Sequence, residues 1–105
     1  MIYTVQISAR AESNLREIYE YIAYELLSPP TAAKQLQRLE EDILSLDQMP
    51  NRYPSYLEEP WHSRGLRVMS VDSYLVFYIP DDAAHIVTVI RVMYGGRDVD
   101  SQLNI

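Results

Sequence analysis

Tyr74-Leu75-Val76-Phe77-Tyr78-Ile79 has an apolar or aromatic side chain at all six positions. A strand with one solvated face alternates with polar residues, whereas an unbroken apolar run has both faces covered. The stretch therefore predicts a central strand, and its neighbours must be strands that flank it. On its N-terminal side Asp72-Ser73 makes a tight turn back to a strand over Gly65–Val71. On its C-terminal side Pro80-Asp81-Asp82 turns into a third strand, His85–Tyr94. Along that third strand Ile86, Thr88, Ile90, Val92 and Tyr94 share one face by simple alternation. Val87, Val89, Arg91 and Met93 share the other. The three strands read as an antiparallel meander. It ends in Arg91-Val92-Met93-Tyr94-Gly95-Gly96-Arg97-Asp98, where the two glycines let the backbone turn sharply.

Upstream of the meander the period changes. Tyr3, Val5 and Ile7 alternate with Thr4 and Gln6, which predicts a short half-buried strand. Ser8 can cap the helix that follows. Leu15, Ile18, Ile22 and Leu26 recur at spacings of three and four, with Tyr19 beside them, and define one apolar helix face. Ser28-Pro29-Pro30 interrupts this helix and suits the first turn of another. Leu36, Leu39, Ile43 and Leu46 then mark a second helix that ends near Met49-Pro50. So short a link folds the two helices into an antiparallel hairpin. Residues 50–63, with three prolines, Tyr53, Tyr56 and Trp61, predict a loop pinned to the core by its aromatics. Helices followed by a run of strands imply an α+β architecture. The hairpin is expected to cover one sheet face and to leave the other partly open. One domain over residues 1–105 is expected.

Composition narrows the function. The 105 residues include no cysteine, which excludes disulfide and thiol chemistry and fits a reducing compartment. No run approaches the roughly 20 apolar residues of a membrane span. The N-terminal Met1-Ile2-Tyr3-Thr4-Val5 lacks the features of a signal peptide. A cytoplasmic protein without a membrane role is expected. The formal charge of −6 does not favour non-specific nucleic-acid binding. His62 and His85 lie far apart with no ligand-like partners, so no metal and no cofactor is expected. No glycine-rich phosphate loop and no Ser/His/Asp arrangement is present.

Arginine is what remains. Eight of the nine basic residues are arginines, and Lys34 is the lone lysine. Arg64 and Arg67 flank the start of the first meander strand, Arg91 lies on the last, and Arg97 follows the diglycine. If those strand ends converge, the four guanidinium groups can hold phosphates or a charged target, beside a Tyr94 able to move a proton. The alternative is that each arginine pairs with an acid of this acid-rich chain.

Several of these segments together resemble toxins of the RelE/ParE superfamily, the toxic halves of bacterial type II toxin–antitoxin pairs. They are Ser8-Ala9-Arg10-Ala11-Glu12-Ser13-Asn14-Leu15, Gly65-Leu66-Arg67-Val68, Tyr74-Leu75-Val76-Phe77-Tyr78 and the ending from Ile90 to Asp98. The resemblance spans nearly the whole chain. It implies an N-terminal strand, a helical hairpin and a three-stranded meander, and a cognate antitoxin that silences the toxin as a hetero-oligomer. RelE-like members are ribosome-dependent mRNA interferases; ParE-like members bind DNA gyrase and trap its cleavage complex. In the nuclease case the resemblance makes Arg67, Tyr94 and Arg97 catalytic. Yet Tyr74 stands where such nucleases often carry another functional arginine. The single lysine and the negative charge also ill suit a grip on RNA, and an ordinary tyrosine, with a pKa near 10, is a poor base at neutral pH. The ParE-like reading is therefore favoured, with the interferase second and a non-toxic antitoxin-binding module third. Antitoxin segments dock on exposed apolar or edge surface, here expected beside the hairpin where Tyr19, Tyr21 and Tyr24 fall.

Overall fold

The computed structural model describes residues 2–96 and 99–103. Its elements are β1 (Thr4–Ile7), α1 (Ala9–Glu20), α2 (Pro29–Leu44), β2 (Arg67–Val71), β3 (Tyr74–Asp81), β4 (Ile86–Tyr94) and α3 (Val99–Leu103). A wider π-type turn, Tyr21–Glu25, extends α1. The architecture is the expected α+β arrangement of strand, helical hairpin and antiparallel meander. The sheet order is β1-β4-β3-β2, with β1 parallel to β4 and the other pairs antiparallel.

One serine makes the first corner. The Ser8 backbone N–H donates to Val89 O at 3.0 Å and closes the β1–β4 ladder. Its side-chain oxygen accepts from the Ala11 N–H at 3.1 Å and donates to Ile90 O at 3.2 Å. Ser8 thus ends a strand, caps a helix and fastens both to β4. The chain re-enters α2 through Pro29 and Pro30, whose missing N–H groups fall where a helix has no use for them.

The hairpin packs Ala11 and Leu15 of α1 and Leu39 and Ile43 of α2 on Met69, Val76, Tyr78 and Val89 of the sheet. Tyr3, Val5 and Ile7 join that side, as their alternation predicts. The opposite face departs from expectation. It is not left open, because Leu66, Phe77, Met93 and Leu103 form a second buried cluster there. Tyr56 and Trp61 from the proline-rich loop pack on it, together with Val99 of α3. The loop also guards the β2 edge: Tyr56 N–H donates to Leu66 O, and Val68 N–H to Pro54 O. A groove of about 390 Å³, between Tyr56, Val68 and Leu75, lies on that face.

The last strand also departs from simple alternation. Phe77 pairs with Arg91 but Tyr78 pairs with Val89, so Ile90 is an extra residue, a β-bulge. A bulge shifts the pleat by one position. Val92 therefore joins Val87 and Val89 on the helix side, while Ile90 and Met93 pack on the far side.

Tyr78 ties the sheet to the segment after α2. Its hydroxyl donates to Pro50 O at 2.6 Å, both groups being buried. Burial pushes this hydroxyl up to about 12, against the opposing pull of Arg67 and Arg52. Below pH ~10 the tyrosine is neutral in both folded and unfolded chains, so its contribution is complete there. Between pH ~10 and about 12 the unfolded chain releases the proton first, and stability is expected to fall. Tyr78→Phe should cost about 1–2 kcal/mol in urea unfolding at pH 7 and flatten this alkaline fall. An unchanged alkaline profile in the variant would assign it to another group.

Candidate functional site

Beyond Ile7, β1 no longer covers β4, and the edge of β4 from Ile90 onward faces α1 instead of a strand. Side chains take over the ladder. Asn14 Oδ1 accepts the Val92 N–H at 3.1 Å and the Arg91 Nε–H at 3.1 Å. Arg91 also donates through its Nη1 to Gln102 O of α3 at 2.6 Å. Its side chain is 8% exposed. Burial, with Arg10 nearby, lowers its pKa, and Glu17 counters this; the guanidinium remains charged at neutral pH. Arg91 therefore braces α1, β4 and α3 together.

Above this brace lies a groove of about 830 Å³ between the end of α1, the π-type turn and the last residues of β4. Tyr21, Tyr74 and Tyr94 give it aromatic walls. Tyr74 and Tyr94 are cross-strand partners whose rings meet edge to face, with centroids 6.0 Å apart. Burial raises the Tyr74 pKa, and Tyr94 and Tyr21 add to it. Tyr94 is half exposed. The diglycine stands in the turn that follows β4, as expected, but not for the sake of a left-handed backbone. Neither glycine has a positive φ. Instead, a Cβ on Gly96 would lie 2.5 Å from Tyr94 Cε2, and one on Gly95 would lie 3.3 Å from Leu75 Cγ. The glycines leave room for the Tyr94 ring and for the close return of the chain, where Gly95 N–H donates to Ser73 O at 2.9 Å.

The arginines do not converge. Arg67 opposes Tyr78 on the helix side and donates to Tyr53 O at 2.6 Å. Arg91 opposes Phe77, which belongs to the far-side cluster. Adjacent rows of a sheet point to opposite faces, so a shared clamp of these two is excluded by the pleat. Arg64 is exposed on the loop, with its guanidinium 5.1 Å from the Trp61 ring centroid. Arg97, and Asp98 beside it, lie outside the described residues. Among the described residues Arg64, Arg67 and Arg91 do not pair with acids; the ion pair there is Arg38 with Asp72, at 2.7 Å.

The three tyrosines assigned to the antitoxin also separate. Tyr21 lines the large groove, Tyr24 is exposed on the π-type turn, and Tyr19 lines a second groove between α1, α2 and β1. Helical positions two apart lie about 200° apart around the axis, so Tyr19 and Tyr21 cannot share a face. Asn14 is the residue that the sequence reading missed. Its signal was a polar side chain inside the apolar stripe Ala11, Leu15, Ile18. Among the described residues no cluster of metal-ligating side chains occurs, and no helix is long and apolar enough to cross a membrane.

The groove combines aromatic walls with the Glu17 carboxylate and a guanidinium committed to Asn14 and Gln102. The sequence pattern of the ParE toxins of type II toxin–antitoxin systems, parDE, matches residues 5–99. The chain belongs to this ParE toxin family. Solved structures share its fold. The chromosomal ParDE system of P. aeruginosa superposes with a TM-score of 0.72 at 19% identity, over 89% of this chain and 96% of that one. The RelBE2 toxin–antitoxin complex of Mycobacterium tuberculosis gives 0.67 at 22% identity, over 90% and 99%. A free-state mutant of the E. coli toxin RelE gives 0.64 at 18% identity, over 96% and 93%. No curated protein sequence matches the chain. At such identities the likeness carries the fold, while the ParE assignment rests on the family match.

Asn14 should be critical to this ParE-family fold. Asn14→Leu leaves a buried cation and a backbone N–H without their acceptor, and is expected to cost about 2–4 kcal/mol in urea unfolding. Asn14→Asp keeps the acceptor and should lose less than half as much at pH 7. Equal losses for the two would mean that shape, not the shared oxygen, matters there.

Proposed function

We propose that this ParE-family toxin acts by binding: it poisons DNA gyrase in the cytoplasm and is held silent by a cognate protein antitoxin. The single observation that carries this reading is the state of Arg91, buried and shared between Asn14 and Gln102 O. An arginine used to hold the fold together is not offered to a phosphate. Arg67 is likewise engaged with Tyr53 O. Tyr94 has no hydrogen bond from a cationic partner among the described residues, so nothing here equips it as a general base. The aromatic groove of Tyr21, Tyr74 and Tyr94 is the surface assigned to the target. Tyrosine gives a large contact area at low conformational cost, and aromatic residues often anchor interfaces.

The test is a plasmid supercoiling assay with purified toxin and gyrase. Micromolar toxin is expected to block supercoiling and to accumulate cleaved plasmid. Tyr94→Ala should weaken this roughly tenfold by removing the ring, whereas Tyr94→Phe should change it little. Gyrase that works normally at micromolar toxin would end the reading. If translating ribosomes instead yield cut mRNA, and if Arg67→Ala and Tyr94→Phe each abolish that cutting, the chain is an mRNA interferase using Arg67 and Tyr94.

A further inference from the structure

The turn that joins α1 to α2 exposes more apolar surface than a connection needs. Tyr21, Tyr24, Leu26 and Leu27 are each more than half exposed, and Leu27 reaches 82%. Single exposed apolar residues are ordinary, but four in one short turn make a patch. None of the four enters a buried apolar cluster among the described residues. The wide turn decides where two of them lie. Leu26 N–H donates to Tyr21 O at 3.1 Å, five residues back, which brings Leu26 to the side of Tyr21. Both then line the large groove.

Leu27 is the residue that the fold explains least. It follows Leu26, which ends the π-type turn, and Ser28 N–H closes that end by donating to Ile22 O at 3.1 Å. The φ of Leu27 is 55°, the left-handed conformation in which helices commonly stop. Glycine is the usual residue there, and asparagine the next, because a bulky side chain strains that backbone. Leu27 carries the strain and still leaves its side chain in water.

We infer that Leu27, with Tyr24 and Leu26, is a plug at the rim of the target groove and enters an apolar pocket of gyrase edged by basic side chains. The inference rests on the gyrase reading above and names the part of the toxin that gyrase receives. Strain persists at a position when the side chain there acts on something beyond the fold. The patch is continuous with the target groove through Tyr21 and Leu26, so one partner covers both. Charge narrows the pocket. Glu20 and Glu25 bracket the patch in sequence, are exposed, and are in no ion pair among the described residues. A basic rim is attracted by them and an acidic one repelled. The same two acids, in a chain of charge −6, disfavour a second copy as the occupant.

The experiment measures the toxin concentration that halves supercoiling by gyrase, together with urea unfolding of each variant. Leu27→Gly relieves the backbone, so its stability should equal or exceed the native value while its potency falls about tenfold or more. Leu27→Asn should behave alike. Leu27→Met keeps an apolar side chain at the same place and should retain potency to within about threefold. Glu20→Lys with Glu25→Lys should weaken the toxin about threefold. Leu57→Ser removes another exposed leucine, on the loop and outside the groove, and should leave potency unaltered. If the native toxin blocks gyrase and Leu27→Gly and Leu27→Asn block it equally well, the plug is overturned and the gyrase reading stands. A Leu27→Gly that loses stability along with potency would make Leu27 a folding residue and overturn it too. If sedimentation finds native dimers that Leu27→Gly dissociates at unchanged potency, the patch joins two copies and the inference is wrong. If the native toxin leaves gyrase untouched, the gyrase reading falls and the plug with it.

Discussion

The oxygen of Asn14 holds the last strand where the rest of the molecule needs it. β1 is too short to pair with all of β4, and the bulge at Ile90 falls just past its end. A backbone N–H left open at that point would carry the cost of an unmade hydrogen bond. Ser8 and Asn14 continue the ladder with side chains, taking Ile90 O and the Val92 N–H. Because the same oxygen also holds Arg91, the edge repair and the burial of a cation are one event. A buried charge is tolerable only when its donors are matched, and α1 and α3 supply acceptors for it. Removing α1 from this edge would expose the strand and strand the guanidinium at once.

This arrangement leaves grooves on two faces of the molecule. On one, the hairpin turn and the end of β4 frame an aromatic groove whose base is rigid, since Arg91 is bound from two sides. On the other, α1, α2 and β1 frame an apolar groove edged by Glu12 and Glu40. The two lie on opposite aspects of α1, and the helical period assigns Tyr19 to one and Tyr21 to the other.

Much of this was written in the sequence as pattern. The apolar run from Tyr74 to Ile79 specifies an inner strand, the three-and-four spacing specifies the hairpin face, and Ser8 and the double proline specify the helix starts. These are local rules, and each depends only on neighbours within one or two turns. The superfamily was legible for the same reason, since its ending from Ile90 to Asp98 is a contiguous motif. The site was less legible. Arg64, Arg67 and Arg91 invited a phosphate clamp because they lie at strand ends, and a cluster of three tyrosines was expected because they are close in number.

The sequence by itself determined which segments are helix and strand, which residues are apolar enough to be core, and that this stretch of chain offers no thiol. Tertiary structure alone decided that β1 lies beside β4, that the far face is covered by the loop and α3, and that Arg91 braces α1 and α3 against β4. It also decided that Gly95 and Gly96 leave room for the Tyr94 ring and the Leu75 side chain where the chain turns. The reason is range. A one-residue bulge reverses the facing of every residue after it, and nothing within the strand announces it. The partners that settle the fate of Arg91 stand 77 residues before it and 11 after it, brought together only by the fold.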